Sequence, residues 1–132
     1  HDMPFESNSQ DAIICMAVLE HVEDPKKASK EIFRVLKKGG KAMIYVPFLF
    51  YYHAEKGYYK DYWRFTRDGV ELLFNDFSTV KIESVRGRFG TWMHLSPFGR
   101  FKIVVVLANF IDNITKGFST KQVSGFNVYI EK

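Results

Sequence analysis

Asp11-Ala-Ile-Ile-Cys-Met-Ala-Val18 and Lys41-Ala-Met-Ile-Tyr-Val-Pro47 are the two stretches whose reading decides the fold. Each is a short apolar run with polar or glycine residues before it, as expected of a strand covered on both faces in a parallel sheet. Between them, Leu19-Glu-His-Val-Glu-Asp24 is a polar stop. Asp24 can cap a helix that has Pro25 at its first position. That helix would place Ala28, Ile32, Val35 and Leu36 on one stripe, with lysines opposite. It would end in Lys37-Lys-Gly-Gly40, where cations meet the negative helix end and glycine supplies a left-handed cap. Strand, helix and strand with short joints make the right-handed parallel unit of α/β proteins.

Further along, residues 48–65 have no clean period. Residues 45–65 hold ten of the chain's 22 aromatics, interleaved with His53, Glu55, Lys56, Lys60, Asp61 and Arg64. Thr66 is placed to cap a helix whose Val70, Leu73, Phe74 and Phe77 follow the i, i+3, i+4, i+7 pattern. Thr79–Val85 alternates as a half-buried strand, with Val80 and Ile82 opposite Lys81 and Glu83. Ser96-Pro97 opens a long apolar helix expected to run to about Ile114. Gln122–Glu131 reads as a closing strand, with Phe126, Val128 and Ile130 inward.

With 132 residues, 46% of them apolar, the chain suits a single domain over 1–132 with one core. The net charge of +4 is a mild excess that does not point to nucleic acid, and none is expected as a partner. Six of the basic residues (Lys26, Lys27, Lys30, Arg34, Lys37, Lys38) fall on the first helix, where a solvated face accounts for them. The single cysteine, Cys15, excludes an internal disulfide, suits a reducing compartment and implies a cytoplasmic location. Its place in a buried strand favours a packed thiol over a nucleophile. Residues 1–10 do not read as a signal peptide, and the start without an initiator Met suggests a longer protein. Ile103–Ile111 is about half the roughly 20 residues needed to span a bilayer. Phe89, Trp92, Met93 and Phe98 leave peripheral membrane contact at 89–111 open.

Three segments carry a resemblance. Asp2-Met-Pro-Phe-Glu6, a polar gap and then Asp11 through Leu19-Glu-His-Val-Glu-Asp24 resemble the middle of class I S-adenosylmethionine-dependent methyltransferases. Arg34-Val-Leu-Lys-Lys-Gly-Gly-Lys41 is similar to their R-x-L-K-P-G-G turn, with Lys38 where Pro is usual. Tyr59-Lys-Asp-Tyr-Trp-Arg-Phe-Thr-Arg-Asp-Gly-Val-Glu-Leu-Leu-Phe74 looks like the segment after the fifth strand in members acting on sugars, lipids and other small metabolites. The match is tight over about residues 2–85 and loose afterwards. It implies a partial Rossmann-like fold: a mostly parallel sheet, helices on its faces and an antiparallel C-terminal strand. The family's cofactor loop is Gly-x-Gly after the first strand. The nine glycines here include no such pattern, and Gly39-Gly40 follows a helix instead of preceding one. The chain thus reads as the C-terminal half of the domain.

In open α/β sheets the ligand lies beyond the carboxyl ends of the strands, where strand order reverses. The resemblance makes 11–17 the fourth strand and gives this chain one wall of that crevice. Ala17, Val18, Leu19 and His21 would then line the methionine and ribose side of S-adenosylmethionine, and Met3-Pro4 would flank the adenine. Packing accounts equally well for Val18 and Leu19, and a brace of the turn for His21. His21 is not read as a metal ligand, since no second His, Cys or carboxylate has ligand spacing to it, and no metal is expected. Methyl transfer needs alignment and sometimes a base, for which His53 and Asp61 are the candidates. Tyr51, Tyr52, Tyr59 and Trp63 could wall a small-molecule, sugar or lipid-type acceptor, and Arg64 could pair with an anionic group. The competing structural reading makes these aromatics a satellite core and Asp61–Arg64 a local ion pair.

Two functions follow. One is a methyltransferase whose glycine-rich half lies elsewhere; the isolated chain would be inactive and bind cofactor weakly or not at all. The other is a non-catalytic interaction module, a remnant of the fold. A nicotinamide-binding half-domain lacks its glycine fingerprint and explains none of the three segments. In either case strand 11–17 would be an apolar edge that seeks the missing half, a second chain or a homodimer partner.

Overall fold

The computed structural model describes residues 2–119 and 121–132. Four strands form one sheet: β1 (Gln10–Met16), β2 (Leu36–Pro47), β3 (Thr79–Val85) and β4 (Gly125–Glu131), in the order β1-β2-β4-β3. β1 and β2 run parallel, with Ile13 opposite Ala42 and Cys15 opposite Ile44. β4 lies antiparallel between β2 and β3. The sheet is therefore mixed and not mostly parallel. β1, β2 and β3 share a direction, but the reversed final strand separates β3 from the other two.

The expected alternation of β3 and β4 holds, and β4 begins at Gly125, after the predicted Gln122. Phe126, Val128 and Ile130 face the core beside Ala42, Ile44 and Val46 of β2, all six nearly or fully buried. Leu36, Val70 and Phe74 complete the centre of this core. Burying each such large apolar side chain contributes about 1.5–3 kcal/mol.

β1 has one strand neighbour and is the expected edge, but its apolar run is not covered on both faces. Ile13 and Cys15 pack against the core, whereas Ile14 is 77% exposed and Met16 43%.

The first helix, α1 (Pro25–Val35), is capped by Asp24, whose carboxylate accepts from the Lys27 amide at 2.9 Å. It ends at Val35, two residues before the predicted cationic turn, because Leu36 is already extended and pairs with Gln10. The register then jumps to Ala12 opposite Lys41, and residues 37–40 bulge within β2. Gly39 permits this with φ of +77°, and its amide donates to the Lys132 carbonyl at 2.8 Å. The next helix, α2 (Arg67–Leu73), starts as expected, with Thr66 Oγ1 accepting from Gly69 N at 3.1 Å.

The long helix predicted from Ser96-Pro97 to Ile114 is broken. α3 (Arg88–Leu95) precedes Pro97, a tight 3₁₀ turn covers Pro97–Arg100, and α4 covers Lys102–Thr115. Ser96 Oγ accepts from Phe98 N and caps the turn instead of a long helix. Among the described residues, no helix is long and apolar enough to cross a membrane.

Candidate active site

The turn from Ala17 to Val22 leaves the carboxyl end of β1 and positions the site. Ala17 is left-handed, with φ of +53°, a conformation that costs a non-glycine residue about 1–2 kcal/mol. Its amide donates to the Tyr45 carbonyl at 3.2 Å, and Leu19 is 1% exposed, so packing holds the bend. The bend sends successive side chains to two different clefts.

One cleft, of about 440 Å³, lies between β1, the start of α1 and the N-terminal segment. Met3, Pro4, Cys15, Val18 and Leu19 line it, and Val18 is 44% exposed. The N-terminal segment is fastened to α1. Glu31 accepts from the Met3 amide at 3.0 Å, while Arg34 donates to the Met3 and Phe5 carbonyls at 3.2 and 3.0 Å. The Arg34 guanidinium, with the Met3 amide, holds the Glu31 carboxyl down at about 2. Burial, then the charge of Glu20, pushes the Cys15 thiol up to about 11, which fits a packed cysteine. Of the five residues expected at the cofactor, Met3, Val18 and Leu19 meet here. Ala17 stands at the bend above them.

His21 goes to the other side. Its Nδ1 lies 2.7 Å from the Lys60 carbonyl and therefore carries the proton. Its ring sits 4.5 Å from that of Tyr59 and 4.8 Å, edge-on, from that of His53. His53 Nδ1 lies 3.2 Å from both Asp61 Oδ2 and the Tyr51 carbonyl, and 3.5 Å from Arg64 Nη2. The Nε2 atoms of both histidines lie 3.8 and 3.7 Å from Glu20 Oε1. Glu20 is 1% exposed, and among the described residues neither of its carboxylate oxygens has a hydrogen-bond partner. Burial raises its pKa above the usual carboxylate value. The expectation that His21 lacks ligand partners is therefore corrected. One ligand atom from each of Glu20, His21 and His53 lies within 4.8 Å of the others, although His53 is 32 positions away in sequence.

Asp61 and Arg64 form the pair that the structural reading anticipated. Arg64 donates to Asp61 Oδ1 and Oδ2 at 2.6 and 2.7 Å. It also donates to the carbonyls of Phe50, Tyr51 and Trp63. The bonds from Arg64 hold the Asp61 carboxyl down at about 2, and its side chain is fully buried. Such a carboxylate is a poor proton acceptor at neutral pH. It orients His53, whose amide also donates to it at 2.9 Å. Arg64 is committed to this network instead of standing open to an anion. Tyr59 and Tyr52 line a second cleft of about 790 Å³ beside His21. Trp63 Nε1 is tied to the Val22 carbonyl at 2.9 Å, and Tyr51 stacks on Phe50. The Glu20 carboxylate was overlooked in the sequence, and its only signal there is a Glu directly behind the apolar Ala17-Val-Leu19.

The comparisons fit this geometry. The family model for a methyltransferase domain matches residues 1–44. An uncharacterized protein of Methanocaldococcus jannaschii is 46% identical over 43 residues, which is 33% of this chain and 21% of that protein. A Thermotoga maritima structure, titled a SAM-dependent methyltransferase and possible histamine N-methyltransferase, superposes with a TM-score of 0.62 at 17% identity. It covers 99% of this chain and 60% of that one. A Haemonchus contortus phosphoethanolamine N-methyltransferase, in complex with phosphomonomethylethanolamine and S-adenosylhomocysteine, gives a TM-score of 0.54 at 16% identity, over 96% of this chain and 34% of that one. The chain thus spans about a fifth of the curated relative, and a third to three fifths of these solved structures. Its fold is that of the class I S-adenosylmethionine-dependent methyltransferases. Over its first 44 residues its sequence resembles the methyltransferase-domain family.

Proposed function

We propose that this polypeptide is the C-terminal half of a methyltransferase domain and forms one wall of a cleft for S-adenosylmethionine. The full domain would transfer the methyl group to a small-molecule acceptor of sugar, lipid or similar type. The observation that carries the reading is the apolar cleft at the carboxyl end of β1. It is bordered by Met3, Pro4 and Val18, inside the stretch that matches the methyltransferase family. A ligand belongs at that end of such a sheet. The other wall, with a Gly-x-Gly loop, would be supplied beside the exposed edge of β1 by further sequence or by a second chain. Acceptors would enter from the Tyr52–Tyr59 side.

Calorimetric titration of S-adenosylhomocysteine tests the reading. Micromolar binding is expected for a polypeptide that carries the glycine-rich half as well, and weak or no binding for these 132 residues alone. Failure of the longer polypeptide to bind would favour the non-catalytic module.

The helices α3 and α4 and the turn between them present Trp92, Phe98, Phe101, Ile103 and Phe110 to solvent, with the cations of Arg88, Arg100, Lys102 and Lys121 also exposed. The acidic residue of this region, Asp112, is buried. Apolar side chains amid cations suit the interface of an anionic bilayer, so this face is proposed as a peripheral membrane contact.

A further inference from the structure

We propose that Glu20, His21 and His53 form a binding site for a divalent first-row transition-metal ion, with Asp61 as the group that orients one ligand. The proposal does not depend on methyl transfer.

Four features meet at one point. The donors are two imidazole nitrogens and one carboxylate oxygen, a set that suits Zn²⁺ and its neighbours better than Mg²⁺. Both rings have Nδ1 engaged elsewhere, His21 with the Lys60 carbonyl and His53 with the Tyr51 carbonyl beside Asp61 and Arg64. That leaves Nε2 of each ring on the Glu20 side, and an engaged second nitrogen is how metal-binding histidines are usually fixed. The contacts to Glu20 Oε1, at 3.7 and 3.8 Å, are too long for hydrogen bonds. They are close to the roughly 3.4 Å that separates two donors bound at about 2.1 Å around one tetrahedral ion. Finally, Glu20 is 1% exposed with neither oxygen hydrogen-bonded among the described residues. A buried charge in that state is costly unless a cation satisfies it.

Three protein ligands leave at least one coordination position open. His21 also lines the cleft of Tyr52, Tyr58 and Tyr59, so the open position adjoins a space of about 790 Å³. Water or an oxygen-bearing ligand could fill it.

The test is calorimetric titration of the chelator-treated chain with Zn²⁺, Mn²⁺ and Mg²⁺ separately, followed by Co²⁺ with its visible absorption as a coordination signature. One Zn²⁺ per chain with micromolar or tighter affinity is expected, and Mg²⁺ should bind at least 100-fold more weakly. H53A and H21A should each lose at least 100-fold in affinity. E20Q, which keeps the shape of the buried side chain, should do the same. D61N should lose about 10–100-fold through the orientation of His53. Circular dichroism of each variant separates lost binding from lost fold, and E20Q with H53Q replaces any variant that unfolds. Zn²⁺ binding that survives H53A or E20Q, a Mg²⁺ affinity equal to that for Zn²⁺, or no Zn²⁺ binding by the folded chain would overturn the assignment. In the last case Glu20 would be a buried partner of protonated histidine.

Discussion

Replacing Arg64 by alanine should unfasten the segment that carries His53. The guanidinium makes two bonds to Asp61 at 2.6 and 2.7 Å and reaches the carbonyls of Phe50 at 3.1 Å and Tyr51 at 2.7 Å. Residues 50, 51, 61 and 64 are thereby held around one planar fork, a role for which arginine is suited. The Asp61 side chain is fully buried, so truncation strands its charge with the His53 amide as the hydrogen-bond donor left to it. Removing one partner of a buried pair costs about 3–5 kcal/mol. Arg64 itself is 26% exposed, and water can take part of its place, which lowers the expected loss to about 2–3 kcal/mol. Lysine keeps the charge but cannot hold both oxygens and the carbonyls, so R64K should lose about 1–2 kcal/mol. Urea unfolding at pH 7 with a chelator present measures both losses, and amide exchange over 50–61 locates them. A loss below about 0.5 kcal/mol for R64A, the value of an ordinary surface pair, would refute the reasoning. So would an R64K as damaged as R64A.

Three further outcomes are expected. Asp112 of α4 accepts from the Phe89 and Gly90 amides at 2.9 and 2.7 Å, so it caps α3, which has no cap of its own; D112A should cost about 2–3 kcal/mol in urea unfolding, and a loss under 0.5 would remove that role. Cys15, with its thiol at about 11 against an ordinary 9.0, should react with iodoacetamide at pH 8 about 100-fold more slowly in the folded chain than in urea, and rates within threefold would contradict its burial. Vesicles containing phosphatidylglycerol should bind the chain and shift Trp92 fluorescence to the blue in a salt-sensitive way; equal binding to phosphatidylcholine, or none to either, would set the membrane proposal aside.

The parts of the fold that sequence disclosed are those governed by local chemistry. Asp24 and Thr66 cap where their side chains can reach an amide three residues on, and β3 alternates because one of its faces is wet. Position in the sheet is different in kind. The insertion of β4 between β2 and β3 depends on pairings between residues as far apart as Lys41 and Glu131. α3 was hidden because Asp112, 22 residues on from Gly90, supplies the cap at its start. Gly87 and Gly117 are small because that carboxylate lies against both; a Cβ at either would collide with it. For the site, sequence named His53, Asp61, Arg64 and His21, and offered the Asp61–Arg64 ion pair beside an Arg64 open to an anion. His21 looked isolated because its partners, Lys60 and His53, lie far along the chain.

The turn from Ala17 to Val22 ties the two clefts together. Val18 and Leu19 face the Met3 side, and Glu20 and His21 face the segment of His53 and Tyr59. A regular continuation of β1 would have alternated these four residues across the sheet. The left-handed Ala17 instead turns the chain across the strand end, and the neighbouring pairs then diverge. Strain of that kind persists only where its surroundings over-determine it. Here the Tyr45 carbonyl, the buried Leu19 and the amides of Tyr62 and Trp63, which both donate to the Glu20 carbonyl, do so. The apolar cleft and the His–Glu cluster are thus fixed relative to one another by backbone bonds within a few residues. That is the arrangement needed to hold two different ligands at a constant separation.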